Sequence, residues 1–163
     1  MKIGIYPGSF DPITLGHVDI VRRLAPLFDR LIVLVANAEN KNYVFDASER
    51  SRLVSESLKD SAPNVEVEEF DGLTIDFAKQ VGATVIIRGI RGVGDMENEM
   101  AMAHVNKKLD ADIETLIVLA APEFSFISSR LVKEVALHGG DLSGLLPPGV
   151  DQALREQMNT KGV

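Results

Sequence analysis

Gly8-Ser9-Phe10-Asp11-Pro12-Ile13-Thr14-Leu15-Gly16-His17 lies between two unlike patterns. Before it, Lys2-Ile3-Gly4-Ile5-Tyr6 reads as a short buried strand. After it, Val18 to Phe28 repeats its apolar residues at helical spacing. A strand that bends through glycine and proline directly into a helix leaves the first helical N–H groups unpaired. They point outward at the positive end of the helix dipole, where an anion is favoured. His17 falls in the first turn, where its ring can donate to a phosphoryl oxygen or cap its own helix. Ser9 offers a hydroxyl and an N–H to a phosphate, and serine is also a common turn residue. A bend alone would need Gly8 and Pro12 but neither Ser9 nor His17. Asp11 is read as fixing the bend rather than taking a proton.

Outward from this segment, strand and helix patterns alternate. Strands are expected at 2–7, 30–37, 65–70, 84–88 and 114–120, and helices at 17–28, 47–60, 73–81, 94–109, 128–138 and 148–159. The near-continuous apolar, β-branched runs at Arg30–Ala36 and Thr84–Ile87 suit parallel strands covered on both faces. Asp46-x-x-Glu49 is a helix start of the capping-box kind, and Gly82 and Gly139 read as helix stops. The tail from Asn159 is expected to fray. The alternation predicts an α/β fold, a doubly wound, Rossmann-like parallel sheet with a C-terminal helical segment, in one domain over 1–163. Ligands in such folds bind at the carboxyl ends of the strands, beside the switch in strand order. The segments at 8–17, 88–94 and 121–130 all follow predicted strands and so gather at one sheet edge.

Composition narrows the function classes. A net charge of −7 argues against a general nucleic-acid or membrane-surface binder. The chain has no cysteine, which removes disulfide and thiolate chemistry and fits a reducing cytoplasm. No apolar run reaches membrane-spanning length, and the N-terminus does not read as a signal peptide. Lys41, Arg88 and Arg91 fall in predicted loops, where they can form a local positive pocket on an acidic chain. No set of histidines and carboxylates has metal-ligand spacing, so any metal ion should arrive on a ligand. His104 and His138 are read as structural.

The spacing Gly-x-Phe-Asp-Pro-x-x-x-Gly-His resembles the signature of the nucleotidyltransferase superfamily. Three further features resemble one branch of it, the phosphopantetheine adenylyltransferases. Thr14 stands where related enzymes carry the first histidine of His-x-Gly-His. Ile87-Arg88-Gly89-Ile90-Arg91-Gly92 resembles their arginine loop, with Glu99 following. Phe124-Ser125-Phe126-Ile127-Ser128-Ser129-Arg130 opens a segment, running on to Val135, that resembles their C-terminal serine motif.

The resemblance implies a five-stranded sheet of order 3-2-1-4-5 and transfer of the adenylyl group of ATP to 4′-phosphopantetheine. The products are dephospho-coenzyme A and pyrophosphate, formed with Mg²⁺ by a cytoplasmic homohexamer. It implies His17 as transition-state stabiliser, and Ser9, Lys41, Thr74 and Arg88 for phosphopantetheine. For ATP it implies Ser9, Phe10, His17, Gly89, Ile90, Arg91, Glu99, Phe124, Ser125, Phe126, Ile127, Ser128, Ser129 and Arg130. Bland alternatives stay open at several of these positions. Thr74 and Ser128 suit helix caps, and Lys41 suits a solvated loop in the polar stretch 39–42. Arg130, where the family commonly has a third serine, is assigned equally to the triphosphate or to a surface carboxylate. Rival readings are an adenylyl- or cytidylyltransferase for another phosphorylated acceptor, an aminoacyl-tRNA synthetase fragment, and a non-catalytic flavodoxin-like module.

Overall fold

Leu31 to Val35 of the second strand places five consecutive apolar residues in the chain, and all five are buried. Such a run needs cover on both faces. The computed structural model supplies it for residues 1–38 and 40–161, the residues it describes. Glu39, in the polar stretch 39–42, and Gly162 and Val163 lie outside the described residues.

The strands are β1 (Ile3–Gly8), β2 (Arg30–Asn37), β3 (Val65–Asp71), β4 (Val85–Ile90) and β5 (Glu114–Leu119). The helices are α1 (Leu15–Leu24), α2 (Ala47–Leu58), α3 (Thr74–Val81), α4 (Val93–Leu109), α5 (Ser129–Leu137) and α6 (Val150–Lys161). All strand pairs are parallel, in the order β3-β2-β1-β4-β5. The switch therefore lies between β1 and β4, where Gly4 meets Val85 and Ile5 meets Ile86.

Side chains alternate across the sheet and feed two cores. On one face Tyr6, Val33 and Ile87 pack with α1, α2, α5 and the C-terminal residues Leu142, Leu146, Val150 and Leu154. On the other, Ile5, Ile32, Leu34 and Ile86 pack with Ile75, Phe77 and Ala78 of α3. Gly4 leaves room for the Phe28 ring, since a Cβ there would sit 2.7 Å from it.

Several boundaries differ from the sequence reading for local reasons. Helix α1 starts at Leu15 because Thr14 is its N-cap. It ends at Leu24, where Pro26 forces a short 3₁₀ turn over Ala25–Leu27 in place of α-helix to Phe28. A second 3₁₀ turn, Pro122–Phe124, precedes α5. Strand β4 continues past Arg88, because Arg88, Gly89 and Ile90 pair with Ile117, Val118 and Leu119. Arg88, given by the sequence reading both to the end of the 84–88 strand and to the loop after it, is a strand residue. Helix α6 runs on through Lys161 instead of fraying from Asn159. Gly82 and Gly139 both stop helices, each at φ 69°, a conformation glycine adopts without strain.

Candidate active site

His17 is held by the helix it opens. The Thr14 N–H donates to His17 Nδ1 at 3.0 Å, and the His17 N–H donates to Thr14 Oγ1 at 3.4 Å. A ring nitrogen that accepts from a backbone N–H carries no proton, so the neutral ring is protonated at Nε2. Burial, and then the nearby Arg91 charge, lowers the His17 pKa from its usual 6.5 to about 4. At neutral pH His17 is therefore an uncharged Nε2–H donor. The Phe10 ring meets its ring edge-on, with centroids 5.1 Å apart. Phe10 itself is buried and has φ 48°, in the left-handed region that non-glycine residues rarely enter. Capping and donation to a ligand, alternatives on sequence grounds, use different ring nitrogens and are compatible.

His17 lines a cavity of about 250 Å³ at the carboxyl ends of β1 and β4. Gly89, Ile90, Arg91, Glu99, Phe124, Ile127, Ser128 and Ser129 line it as well. Ser128 caps α5 by accepting from the Leu131 N–H, and Ser129 Oγ donates to the Pro12 carbonyl at 2.8 Å. That bond ties the serine segment to the first motif. Arg91 forms a two-pronged pair with Asp95, which holds the Asp95 carboxyl below its usual range. Five residues expected on the nucleotide side do not line this cavity; one of them, Ser9, lines a different cavity together with Lys41. Phe10 supports His17 from the core, Ser125 bonds back to the Pro122 carbonyl, and Phe126 and Arg130 are exposed.

Ser9, Lys41, Thr74 and Arg88 converge on a second cavity, of about 180 Å³. The Lys41 ammonium lies 3.4 Å from Ser9 Oγ. Arg88 is already engaged: two of its nitrogens donate to the Glu99 carboxylate at 2.6 and 2.8 Å, and a third to the Pro7 carbonyl. The β pleat explains the division between the cavities. Arg88 and Gly89 are consecutive in β4, so they face opposite sides of the sheet.

Residues 5–135 match the model of the cytidylyltransferase-like family. A phosphopantetheine adenylyltransferase from Bdellovibrio bacteriovorus is 52% identical over 157 residues, covering 96% of this chain and 98% of that protein. One from Carboxydothermus hydrogenoformans is 50% identical over 162 residues, 99% of each. The chain belongs to the phosphopantetheine adenylyltransferase family. It shares its fold with a Plasmodium falciparum nicotinic acid mononucleotide adenylyltransferase solved in complex with NaAD. That match has a TM-score of 0.72 at 14% identity and covers 99% of this chain and 96% of the other.

In this family member the structure also brings in residues that sequence reasoning missed. A hollow of about 230 Å³ continues from Thr74 and Arg88 between α3 and α4, lined by Leu73, Ile75, Met102, Val105, Asn106 and Leu109. Met102, Val105, Asn106 and Leu109 recur at helical spacing, the one sequence signal available for them. Asp11 does fix the bend, as expected. Its carboxylate accepts from the Val44 and Phe45 N–H groups, each at 2.9 Å, and pairs with Lys133 at 3.2 Å. The buried Arg50 stands behind the second cavity with no sequence signal at all.

Proposed function

We infer that the chain transfers the adenylyl group of ATP to 4′-phosphopantetheine, releasing pyrophosphate and forming dephospho-coenzyme A. The observation that carries this reading is the pairing of a neutral His17 donor on one side of the strand ends with a cationic cavity on the other. An oxygen of the acceptor phosphate attacks the α-phosphorus, and the bond from that phosphorus to the oxygen leading to the β-phosphate breaks. Charge grows on the α-phosphoryl oxygens, where the His17 Nε2–H donates. The protein's work is positioning and electrostatics.

Ser9, Lys41, Thr74 and Arg88 receive the acceptor phosphate, and the apolar hollow beyond Thr74 and Arg88 suits a flexible, largely uncharged arm. Gly89, Ile90, Arg91, Glu99, Phe124, Ile127, Ser128 and Ser129 receive ATP. Phe10, Ser125, Phe126 and Arg130 belong to the same proposal through the motifs they complete. Mg²⁺ is the proposed cofactor, neutralising phosphate charge when bound. The nucleotide cavity offers mainly N–H and hydroxyl donors, with Asp95 and Glu99 turned to arginines. That set fits phosphate oxygens, so the triphosphate carries the ion.

A cytoplasmic homohexamer of one-domain subunits, without nucleic-acid or membrane partners, completes the proposal. Val93 and Met100 of α4 and Leu116 and Leu119 on the edge strand β5 are exposed and apolar, which favours self-association. Among the described residues no helix is long and apolar enough to cross a membrane. The test is pyrophosphate release from ATP with a panel of phosphorylated acceptors. A preference for any nucleotide or glycerol phosphate acceptor by tenfold, about 1.4 kcal/mol at the transition state, refutes this reading.

A further inference from the structure

Arg50 of α2 is 1% exposed and carries a full charge into the interior. One terminal nitrogen donates to the carbonyls of Ser9 at 2.7 Å and Ala36 at 3.0 Å, and the other donates to Asn37 Oδ1. The Tyr43 ring covers its guanidinium at 4.0 Å. Ser9, Ala36, Asn37 and Tyr43 all line the cavity that also contains Lys41 and Arg88. Arg50 therefore sits behind that wall and fastens its two halves, the Ser9 bend and the end of β2 with its loop.

The compensation of this charge is unusual. A buried cation is costly unless paired, and a carboxylate is the ordinary partner. Among the described residues no carboxylate lies within ion-pair distance of Arg50 or Lys41, whereas Arg88 is neutralised by Glu99. Carbonyls and an amide take up the two terminal nitrogens, an aromatic face covers the guanidinium, and Nε has no hydrogen-bond partner among the described residues, so the unit charge stays in place. In a low-dielectric wall that charge projects into the cavity it backs.

We propose that Arg50 is a positioning residue for the acceptor phosphate, fixing the Ser9–Tyr43 wall and supplying an uncompensated charge behind it. This rests on the functional reading above. It extends the acceptor site to a residue that does not touch the substrate.

Steady-state kinetics with ATP and 4′-phosphopantetheine test it in three variants. Arg50→Gln removes the charge and should raise the acceptor KM roughly a hundredfold. Arg50→Lys keeps the charge but loses the fork, and should raise it about tenfold. In both, the ATP KM should stay within about twofold of wild type. The third variant removes no buried group. Asn37 Nδ2 donates to Asp71 Oδ1 at 2.6 Å, so the exchange Asn37→Asp with Asp71→Asn keeps a hydrogen bond there, keeps net charge, and sets a carboxylate against Arg50. It should raise the acceptor KM about tenfold with an unchanged ATP KM and an unchanged melting temperature. If the Arg50 variants fail to fold, the exchange alone decides. An unchanged acceptor KM in the exchange, or KM values for both substrates rising together, overturns the proposal. Wild-type protein that forms no dephospho-coenzyme A overturns the functional reading, and this inference with it.

Discussion

On the nucleotide side of the strand ends the central donor is an uncharged imidazole, fixed by the turn it caps and packed against Phe10. On the acceptor side the cavity is bordered by Lys41, Arg88 and, behind its wall, Arg50. Under the proposed function the two sides handle phosphate differently. A charged group attracts a phosphate already in the ground state, which serves binding. A neutral donor gains most when charge develops on the oxygen it faces, which serves rate. Burial lowers the His17 pKa to about 4 and keeps it in the second class. On the acceptor side, Arg50, held by neutral groups, and Lys41, with no carboxylate within ion-pair distance among the described residues, belong to the first, while Arg88 is shared with Glu99.

The largest effect expected from this contrast is on kcat. His17→Ala should lower kcat by roughly 10²–10³, as removal of an oxyanion donor does, with KM for both substrates far less affected. A normal kcat with a weakened ATP KM would move His17 into the binding class and erase the contrast.

Next in size, Lys41→Ala and Arg88→Ala should each weaken the acceptor by about 1.5–3 kcal/mol in KM terms, the loss of a charge-assisted bond, while sparing ATP. Arg88 adds a sharper test, because Glu99 already holds it with two bonds and itself borders the nucleotide cavity. Glu99→Gln should disturb both substrates, unlike either cation. Equal damage from Lys41→Ala on both substrates would break the division between cavities.

A smaller effect concerns stability. The His17 pKa is about 4 in the folded chain and near 6.5 when unfolded. Between those values the unfolded state binds more protons, so stability rises with pH across that window and gains nothing further above it. The urea midpoint should climb from pH 4 to 6.5, and His17→Ala should flatten part of that climb. An identical climb in wild type and variant would show that His17 is not held neutral by burial.

The smallest effect is reserved for Arg130, which is exposed and does not line the nucleotide cavity. Arg130→Ser should raise the ATP KM by no more than about twofold at low salt and leave it unchanged at high salt, because screening removes an exposed contact. A larger change would place Arg130 with the cations that bind.

What could be read from the sequence was set by neighbours along the chain. Gly8 to His17 announced a strand, a bend and a helix start because those elements follow from residues a few positions apart. Leu31 to Val35 announced a strand covered on both faces, because an apolar run of that length has no solvated face. The gathering of three motifs at one sheet edge followed from alternation alone. Errors arose where a local signal was outweighed. Gly89 suggested a loop, yet pairing with β5 carries β4 through to Ile90. Arg88 then proved to be a strand residue paired with Glu99, eleven positions away on α4. Arg50 lies in a polar, charge-rich helix that reads as solvated. Only the packing of α2 against β2 and β3 buries it and turns it toward the Ser9 carbonyl, 41 residues distant. The hollow beside Met102 and Asn106 exists because residues of α3 and α4 flank Pro7 of β1 and Ile86 and Arg88 of β4. Periodicity reports which face a residue shares with its own helix. It carries no information about which distant segment comes to lie against that face, and the close packing of the folded chain alone determines that.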